Sequence, residues 1–435
     1  MTRVAVIEPF PRVSGVTTYA FHLAEGFRRT GARVDTVSFI ADRARKLTVG
    51  GQKAVEGGRV RSGWQWSPQV PDRVARWGDA VSVFGEYDLL FLNEPRCAPL
   101  DKRAMRKIGG GDIKRGRDTV RSLDVEYPDL PEYIRALSES GTPWATCMHD
   151  PGYDFRHAPF LPQLMELAPP SLVVTHRDGS LESGAWAWGG ALPHLRRDWL
   201  PYAFEPAVRT EWPRVAGMLG RYINNKGQPT LMSVALAGGL PPGWRACADG
   251  SSPIGAGPNH TFLTFESFLR AGFPGERPGN GNVTTGEPWE VRSPGGSPLA
   301  RYGGPYDDGV AASAHHGVHV SATEASFSGP GSLEYADLEA AASGALLALP
   351  DHRDLRGDYA AVRYELTQCA NAEMGAWTEA RVRTREQLSR ALHLAADVVS
   401  DERQRVLWAG WNYDAMRRLN DPRAYAEAIL GGALR

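Results

Sequence analysis

Lysine is almost absent from most of this 435-residue chain, although arginine is abundant. After Lys114 the sequence has one lysine, Lys226, in the segment Gly-Arg-Tyr-Ile-Asn-Asn-Lys-Gly at residues 220–227. Arginine presents a planar fork, whereas lysine presents a compact charge on a thin stem. A glycine turn that carries Arg221 and Lys226 could therefore bind an anionic diphosphate. The alternative is a surface turn with two solvated charges.

Cysteine and long apolar runs are also scarce. The four cysteines are isolated, with no Cys-x-x-Cys pair, which argues against a disulfide scaffold or a zinc site and favours reduced thiols in a cytoplasm. We find no signal-peptide pattern and no run of about 18 apolar residues, so we expect no membrane span.

The formal net charge of −1 gives no overall attraction to nucleic acid or anionic lipid. Length and composition are typical of a globular protein with two domains.

The first forty residues predict a β-α-β unit. An apolar run at residues 4–7 is typical of a buried parallel strand, residues 16–30 have the apolar stripe of a helix, and residues 34–40 form the next strand. This pattern predicts an α/β fold with ligands at the carboxyl ends of its strands. The Gly-x-Gly-x-x-Gly fingerprint is absent. Gly15, just before the helix, indicates either an anion site or an ordinary turn.

Further short strands end in polar residues. They are predicted at residues 88–92, 143–148, 171–175, 199–202, 215–219, 317–320 and 345–349. His149, directly after one of them, is a candidate to position a substrate hydroxyl or a phosphate oxygen, and the alternative is a histidine that caps the strand end. Residues 240–310 are rich in glycine and proline, so we expect mostly loop there.

A basic segment interrupts the first half of the chain around a Gly-Gly-Gly sequence. Its basic residues are Lys102, Arg103, Arg106, Lys107, Lys114, Arg115, Arg117 and Arg121. Such a segment could contact the phosphates of DNA. The alternative is a solvated loop.

The order of the motifs resembles that of the family 4-type retaining glycosyltransferases, which have the two-domain GT-B fold. Ser-Gly-Val at residues 14–16 matches the glycine loop of that family, and residues 220–227 match its Gly-Arg-x(4)-Lys-Gly turn. Ser-x-x-Glu at residues 321–324 and Leu-Glu-Ala at residues 338–340 match its donor-binding segment. The resemblance covers roughly residues 3–350.

The spacing of two carboxylates departs from the family pattern. The family places seven residues between them, whereas fourteen lie between Glu324 and Glu339 in this chain. An alternative alignment makes Glu334 the first acid.

The resemblance implies an α/β fold in which two Rossmann-like parallel-sheet domains face a central cleft. We expect an acceptor-side domain at residues 1–203 and a nucleotide-sugar-binding domain at residues 204–405. C-terminal helices at residues 406–435 would cross back to the first domain, with Trp408 and Trp411 as packing anchors.

The resemblance also implies roles for individual residues. Arg221 and Lys226 would neutralise the diphosphate of a nucleotide-sugar. Glu339 would accept hydrogen bonds from the ribose hydroxyls as an ionised carboxylate, and Glu324 would hold sugar hydroxyls. His149 would lie near the transferred sugar. Backbone approach to the donor would be allowed by small residues, which are Gly15, Ser328, Gly329, Gly331 and Ser332.

The expected reaction is transfer from a UDP- or GDP-sugar to a hydroxyl, with retention. The donor phosphate would receive the acceptor proton. No other cofactor is expected and no metal, because the adjacent Asp307 and Asp308 lack Asp-x-Asp spacing.

The sequence leaves the acceptor and the oligomeric state open. The basic segment would suit a bacteriophage-type enzyme that glycosylates a hydroxylated base in DNA. The alternatives are a glycan, lipid or small-molecule glycosyltransferase, or a non-catalytic protein on the same scaffold that binds sugar-nucleotide or nucleic acid.

Overall fold

A computed structural model describes most of the regular structure of the chain. The described residues are 1–7, 15–40, 48–49, 52–53, 60–61, 66–67, 71–93, 130–149, 161–175, 192–206, 209–220, 227–250, 289–292, 298–304, 308–323, 333–366 and 379–434. They group into two compact units. The first contains residues 1–203 and 419–435, and the second contains residues 204–418.

The first unit is built on a parallel sheet. Its main elements up to residue 203 are β1 (Arg3–Ile7), α1 (Gly15–Arg29), β2 (Arg33–Ile40), β3 (Arg73–Arg76), α2 (Ala80–Phe84), β4 (Leu89–Leu92), α3 (Leu130–Ser140), β5 (Trp144–Met148), α4 (Leu161–Leu167), β6 (Leu172–Thr175) and β7 (His194–Arg196). The strand order is β7-β6-β5-β4-β1-β2-β3, and every neighbouring pair is parallel. Two antiparallel pairs of two-residue strands lie between β2 and β3 in the sequence.

The second unit repeats this plan. Its elements are β8 (Val215–Leu219), α5 (Gln228–Leu236), β9 (Arg245–Asp249), β10 (Trp289–Arg292), β11 (Pro298–Gly304), α6 (Gly309–Ser313), β12 (Val318–Val320), α7 (Tyr335–Ala342), β13 (Leu346–Pro350), β14 (Ala361–Tyr364), α8 (Glu379–Ser400) and α9 (Glu402–Leu419). The strand order is β10-β11-β9-β8-β12-β13-β14. Only β10 among these strands is antiparallel to its neighbour.

The two sheets are packed differently. In the first unit, Phe84 and Tyr133 lie in an apolar cluster on one side of the sheet, and Phe27 of α1 contacts Phe91 on the other. In the second unit, α5 and α8 cover an apolar face that includes Met218 and Val320. Its other face packs against α6 and α7 and buries polar side chains.

The chain returns to the first unit near its C-terminus. The change of unit falls between residues 418 and 419, whereas the sequence analysis placed it at residue 406. Helix α10 (Pro422–Ala433) then packs on α1. The two helices are so close at Gly26 that a Cβ there would lie 2.1 Å from the Pro422 carbonyl oxygen. Glycine at this position therefore allows the contact.

Trp408 and Trp411 on α9 do not play the same role. Trp408 is partly buried and packs against the apolar core of the second unit. Trp411 is 60% exposed, and its indole N–H donates a hydrogen bond to the Asp358 carbonyl oxygen at 2.8 Å. The prediction that Trp411 is a packing anchor was therefore wrong. In the described part of the chain, no helix combines the length and apolar character needed to cross a membrane.

Most predicted strands are present, but one was wrong and several were missed. Residues 199–202 have no regular structure, and strand β7 lies a few residues earlier. Strands β9 and β11 lie within the stretch predicted as loop, with sequences Arg-Ala-Cys-Ala-Asp and Pro-Leu-Ala-Arg-Tyr-Gly-Gly. Neither has the long β-branched run that signals a buried strand.

Candidate functional site

The strand order of the second sheet places its ligand crevice between β8 and β12. The order reverses there, and ligands of such sheets bind outside the carboxyl ends of the strands at the reversal. Residues 221–226 directly follow Gly220 at the end of β8, and residues 324–332 follow Thr323 after β12. The predicted donor-binding segments thus begin at neighbouring strand ends.

Many of the predicted site residues fall in these two segments. Arg221, Lys226, Glu324, Ser328, Gly329, Gly331 and Ser332 lie outside the described residues, as does the basic segment at residues 102–121. Their roles therefore stay predictions. The positions of the residues that flank these segments define the geometry of the candidate site.

The glycines of the Gly-Arg-x(4)-Lys-Gly motif have backbone conformations that favour glycine. Gly220 has φ +125° and Gly227 has φ +76°. A Cβ on Gly227 would also lie 2.5 Å from the Ala322 carbonyl oxygen. A Cβ on Gly250, after β9, would lie 1.6 Å from the Gly220 carbonyl oxygen. Glycine at these three places therefore lets the backbone at the ends of β8, β9 and β12 come into direct contact.

Glu339 lies on α7 with its side chain half-buried. The N-terminus of α6 lies against its carboxyl group, since a Cβ on Gly309 would be 2.0 Å from Oε2. Among the described residues, none pairs with this carboxyl group through a hydrogen bond or an ion pair. Asp308 caps α6 by accepting hydrogen bonds from the backbone N–H groups of Val310 and Ala311 at 2.8 and 3.1 Å.

The environment of Glu339 favours its protonated form. Burial, with the nearby negative charges of Asp308 and Asp337, raises the pKa of Glu339 from 4.5 to about 8. The protonated form is therefore favoured at neutral pH in the ligand-free protein, and the role of Glu339 as an ionised carboxylate stays a prediction. Donors placed on the carboxylate by a ligand would favour ionisation.

Glu334 is occupied by contacts within the fold. It is the N-cap of α7 and forms a reciprocal capping box with Asp337. Its carboxylate also accepts hydrogen bonds from Arg353, which is 1% exposed, at 3.0 Å and from Thr323 at 3.3 Å. This carboxylate thus compensates a buried guanidinium.

Two buried histidines lie between the second sheet and its polar helices. His316 donates from Nε2 to Asp249 at 2.9 Å, and His319 donates from Nε2 to Asp337 at 3.2 Å. The two rings stack with centroids 6.2 Å apart. Burial lowers the pKa of His316, although the Asp249 carboxylate acts in the opposite direction. Sequence reasoning missed this cluster because its members come from separate segments.

Cys247, Asp249 and His316 together could hold a metal ion. They are the only such group found among the described residues. The Cys247 Sγ and His316 Nε2 atoms both lie near one oxygen of Asp249, at 3.5 and 2.9 Å. Burial raises the pKa of the Cys247 thiol to about 12. His316 Nδ1 is buried without a partner in the described structure, whichever ring nitrogen carries the proton.

In the first unit, His149 lies at the corresponding strand ends. It follows β5, and its Nε2 atom is 3.0 Å from the Asn93 carbonyl oxygen, which follows the neighbouring β4. Because that oxygen can only accept, Nε2 carries the proton. The ring of Tyr19 packs edge-on against His149 at 4.8 Å, and the Tyr19 hydroxyl donates to Tyr425 of α10 at 3.2 Å. His149 thus contacts Asn93 after β4 and Tyr19 of α1, and Tyr19 is in turn bonded to α10. The predicted site residue Gly15 is the first residue of α1.

Comparisons with known proteins give a fold but no sequence family. No protein-family model matches the chain, and no curated protein matches it. An α-glucosyltransferase solved with UDP and a 13-mer DNA containing an HMU base has a TM-score of 0.62 at 11% identity, over 100% of both chains. HepE from Anabaena, solved with UDP and glucose, has a TM-score of 0.56 at 12% identity, over 99% of both chains.

The likeness extends over the whole chain in both cases. An α-glucosyltransferase structure with UDP likewise has a TM-score of 0.62, over 99% of this chain. The predicted α/β fold, with two Rossmann-like parallel-sheet domains of the GT-B type, is confirmed.

Proposed function

We propose that this protein is a glycosyltransferase that moves a sugar from a nucleotide-sugar to a hydroxyl acceptor. The main support is the likeness over the full chain to an α-glucosyltransferase solved with UDP and DNA. The strand ends of the second unit add support, since they contact one another and lead into the predicted diphosphate turn. UDP is the favoured nucleotide because it is present in the similar structures, and GDP is the alternative.

The second unit would bind the donor. Arg221 and Lys226 would neutralise the diphosphate and the charge that develops when the glycosidic bond breaks. At an effective dielectric constant of about 20, a pair of unit charges about 4 Å apart contributes about 4 kcal/mol. Two such cations would supply much of the stabilisation of the leaving group. Ser328, Gly329, Gly331 and Ser332 would allow backbone N–H groups to approach the donor.

Glu339 would recognise the ribose of the donor. Its carboxyl group has no competing partner in the described structure, and ribose hydroxyls are hydrogen-bond donors that an ionised carboxylate accepts. Because the pKa of Glu339 is about 8 without ligand, donor binding near neutral pH would release a proton. Glu324 would hold sugar hydroxyls, since Glu334 is engaged by Arg353 and Thr323.

The first unit would bind the acceptor, with His149 near the transferred sugar and Gly15 near the diphosphate. The bond from the anomeric carbon to the phosphate oxygen breaks, and the bond to the acceptor oxygen forms on the same face of the sugar. The acceptor proton passes to the departing phosphate oxygen. Because the new bond forms on the face that the phosphate leaves, the reaction retains the anomeric configuration. We propose that this step needs no metal ion. We also propose that the enzyme acts in the cytoplasm.

The favoured acceptor is a hydroxylated base in DNA, as in a bacteriophage-type enzyme. The complex of the similar α-glucosyltransferase with DNA containing an HMU base supports this choice, together with the basic residues between Lys102 and Arg121. A glycan, lipid or small molecule is the alternative acceptor. The likeness to HepE, solved with UDP and glucose, supports this alternative.

A donor-by-acceptor screen read by mass spectrometry tests this proposal. UDP- and GDP-sugars are offered with hydroxymethylated DNA, unmodified DNA of the same sequence and a panel of glycans. We expect the mass of one sugar to be added to the hydroxymethylated DNA alone. Transfer to a glycan instead would keep the enzyme class and change the acceptor. Nucleotide binding without transfer or donor hydrolysis would indicate a non-catalytic binding protein.

A further inference from the structure

Gly309 is a glycine that the backbone does not require. It is the first residue of α6, directly after the N-cap Asp308. The described glycines with positive φ do not include Gly309. Alanine can therefore adopt its conformation and is the better helix former at a helical position. If glycine is required at position 309, the reason must be the atoms that a side chain there would meet.

The space beside Gly309 is filled by one functional group. A Cβ built there would lie 2.0 Å from Oε2, 2.3 Å from Cδ and 2.9 Å from Oε1 of Glu339. These three nearest atoms are all of one carboxyl group and include no backbone atom. Any side chain at position 309 would thus displace the Glu339 carboxyl group.

Other glycines of the second unit make room for parts of the fold that cannot move. A Cβ on Gly317 would lie 2.0 Å from the Pro213 carbonyl oxygen, and one on Gly217 would lie 2.0 Å from the buried His316 ring. The end of a glutamate side chain can instead rotate away at small cost. Alanine at position 309 would therefore leave the fold intact and move only the carboxyl group.

We propose that Gly309 is a positioning residue for recognition of the donor ribose, because it leaves room for the Glu339 carboxyl group at the place where that group meets the ribose hydroxyls. This inference rests on the proposed function, in which Glu339 binds the donor ribose. A larger residue at position 309 would remove recognition of the two hydroxyls and leave the diphosphate contacts unchanged.

The test compares UDP with 2′,3′-dideoxy-UDP by isothermal titration calorimetry on the full-length protein. The wild type should prefer UDP by about 10- to 100-fold, the usual range for hydrogen bonds to a charged group. Gly309→Ala should lose most of this preference through weaker UDP binding, with unchanged affinity for the dideoxy nucleotide. The matched control is Gly410→Ala in α9, where a Cβ would meet no atom within 4 Å and both affinities should stay as in the wild type.

A double variant distinguishes displacement of the carboxyl group from damage to the fold. Gly309→Ala/Glu339→Ala should bind both nucleotides as Glu339→Ala does and should unfold at a temperature no lower than that of Glu339→Ala. Retention of the wild-type preference by Gly309→Ala would overturn the inference and leave the proposed function standing. A wild type that binds neither UDP nor GDP would overturn the proposed function, and this inference with it.

Discussion

Apart from the edge strands β7 and β10, the strands follow the same order in the two sheets, but the sheets bury different chemistry. In the first unit the polar groups at the strand ends, such as Asn93, His149 and Thr175, form hydrogen bonds on a sheet packed by apolar helices. In the second unit, one face of the sheet is lined with ionisable side chains whose pKa values are displaced, including Glu339 and Cys247. Perturbed pKa values cluster at functional sites. Burial also displaces pKa values in the first unit, at His22 and Tyr87. The second unit differs in its buried His–Asp pairs and in the raised pKa of the Glu339 carboxyl group, and it is the unit that we propose binds the charged donor.

Removal of the two cations of the glycine turn should have the largest effect. Arg221→Ala/Lys226→Ala should lower donor turnover by at least about 10³-fold, because one such ion pair contributes about 4 kcal/mol. Steady-state kinetics with a nucleotide-sugar measures this loss. The matched control is Arg390→Ala on α8, which is exposed and should react at the wild-type rate. Wild-type turnover in the double variant would show that the turn was assigned wrongly.

Glu334 should matter for stability and not for chemistry. Glu334→Gln removes the carboxylate that accepts a hydrogen bond from the buried Arg353 guanidinium at 3.0 Å, so the free energy of unfolding should fall by about 3–5 kcal/mol. Urea denaturation measures the change, with the exposed Glu365→Gln as the control. Unchanged stability together with lost turnover would make Glu334 the first donor acid, as in the alternative alignment.

A substitution at His149 should affect sugar transfer to the acceptor without affecting donor binding. His149→Ala should lower sugar transfer about 10- to 100-fold, the cost of one hydrogen bond to a charged group, and leave UDP affinity unchanged. Transfer assays and calorimetry on the same preparation measure both quantities. His194→Ala, on the edge strand of the same sheet, is the control. Loss of UDP affinity in His149→Ala would contradict the division of roles between the units.

Glu339 should give an effect that depends on pH. The pKa of Glu339 is about 8 in the folded protein and near 4.5 when unfolded, so the folded state binds the extra proton between these values. Stability should therefore fall as pH rises from about 4.5 to 8, with a contribution of at most about 1.4 kcal/mol per pH unit. Water reaches part of this side chain, which lessens the shift of its pKa and narrows the pH range over which stability falls.

Glu339→Gln should remove this contribution, because an amide does not titrate. Thermal unfolding of the variant and the wild type across this pH range measures the difference. Equal pH dependence in the two proteins would contradict the raised pKa of Glu339.

The sequence predicted the strands whose residues are uniformly apolar. β4 and β8 read as continuous apolar runs because both faces of a parallel sheet are covered. β9, in contrast, ends in Cys247 and Asp249, whose side chains belong to a polar cluster that exists only in the folded unit.

Individual site residues differ in the same way. The Leu-Glu-Ala motif predicted Glu339, but the raised pKa of Glu339 depends on its burial in the folded unit and then on Asp308, which is distant in sequence. The engagement of Glu334 depends likewise on Arg353, a buried cation that no local pattern reveals. Local patterns thus predict where a side chain lies on its element, and tertiary neighbours decide its charge.

Hydrogen–deuterium exchange with and without UDP tests most directly the claim that the second unit holds the nucleotide diphosphate. We predict that UDP slows exchange in peptides that cover residues 220–228 and 321–340, while peptides of the first sheet core exchange as before. Binding of UDP without protection of these peptides, or with protection confined to the first unit, would contradict the account.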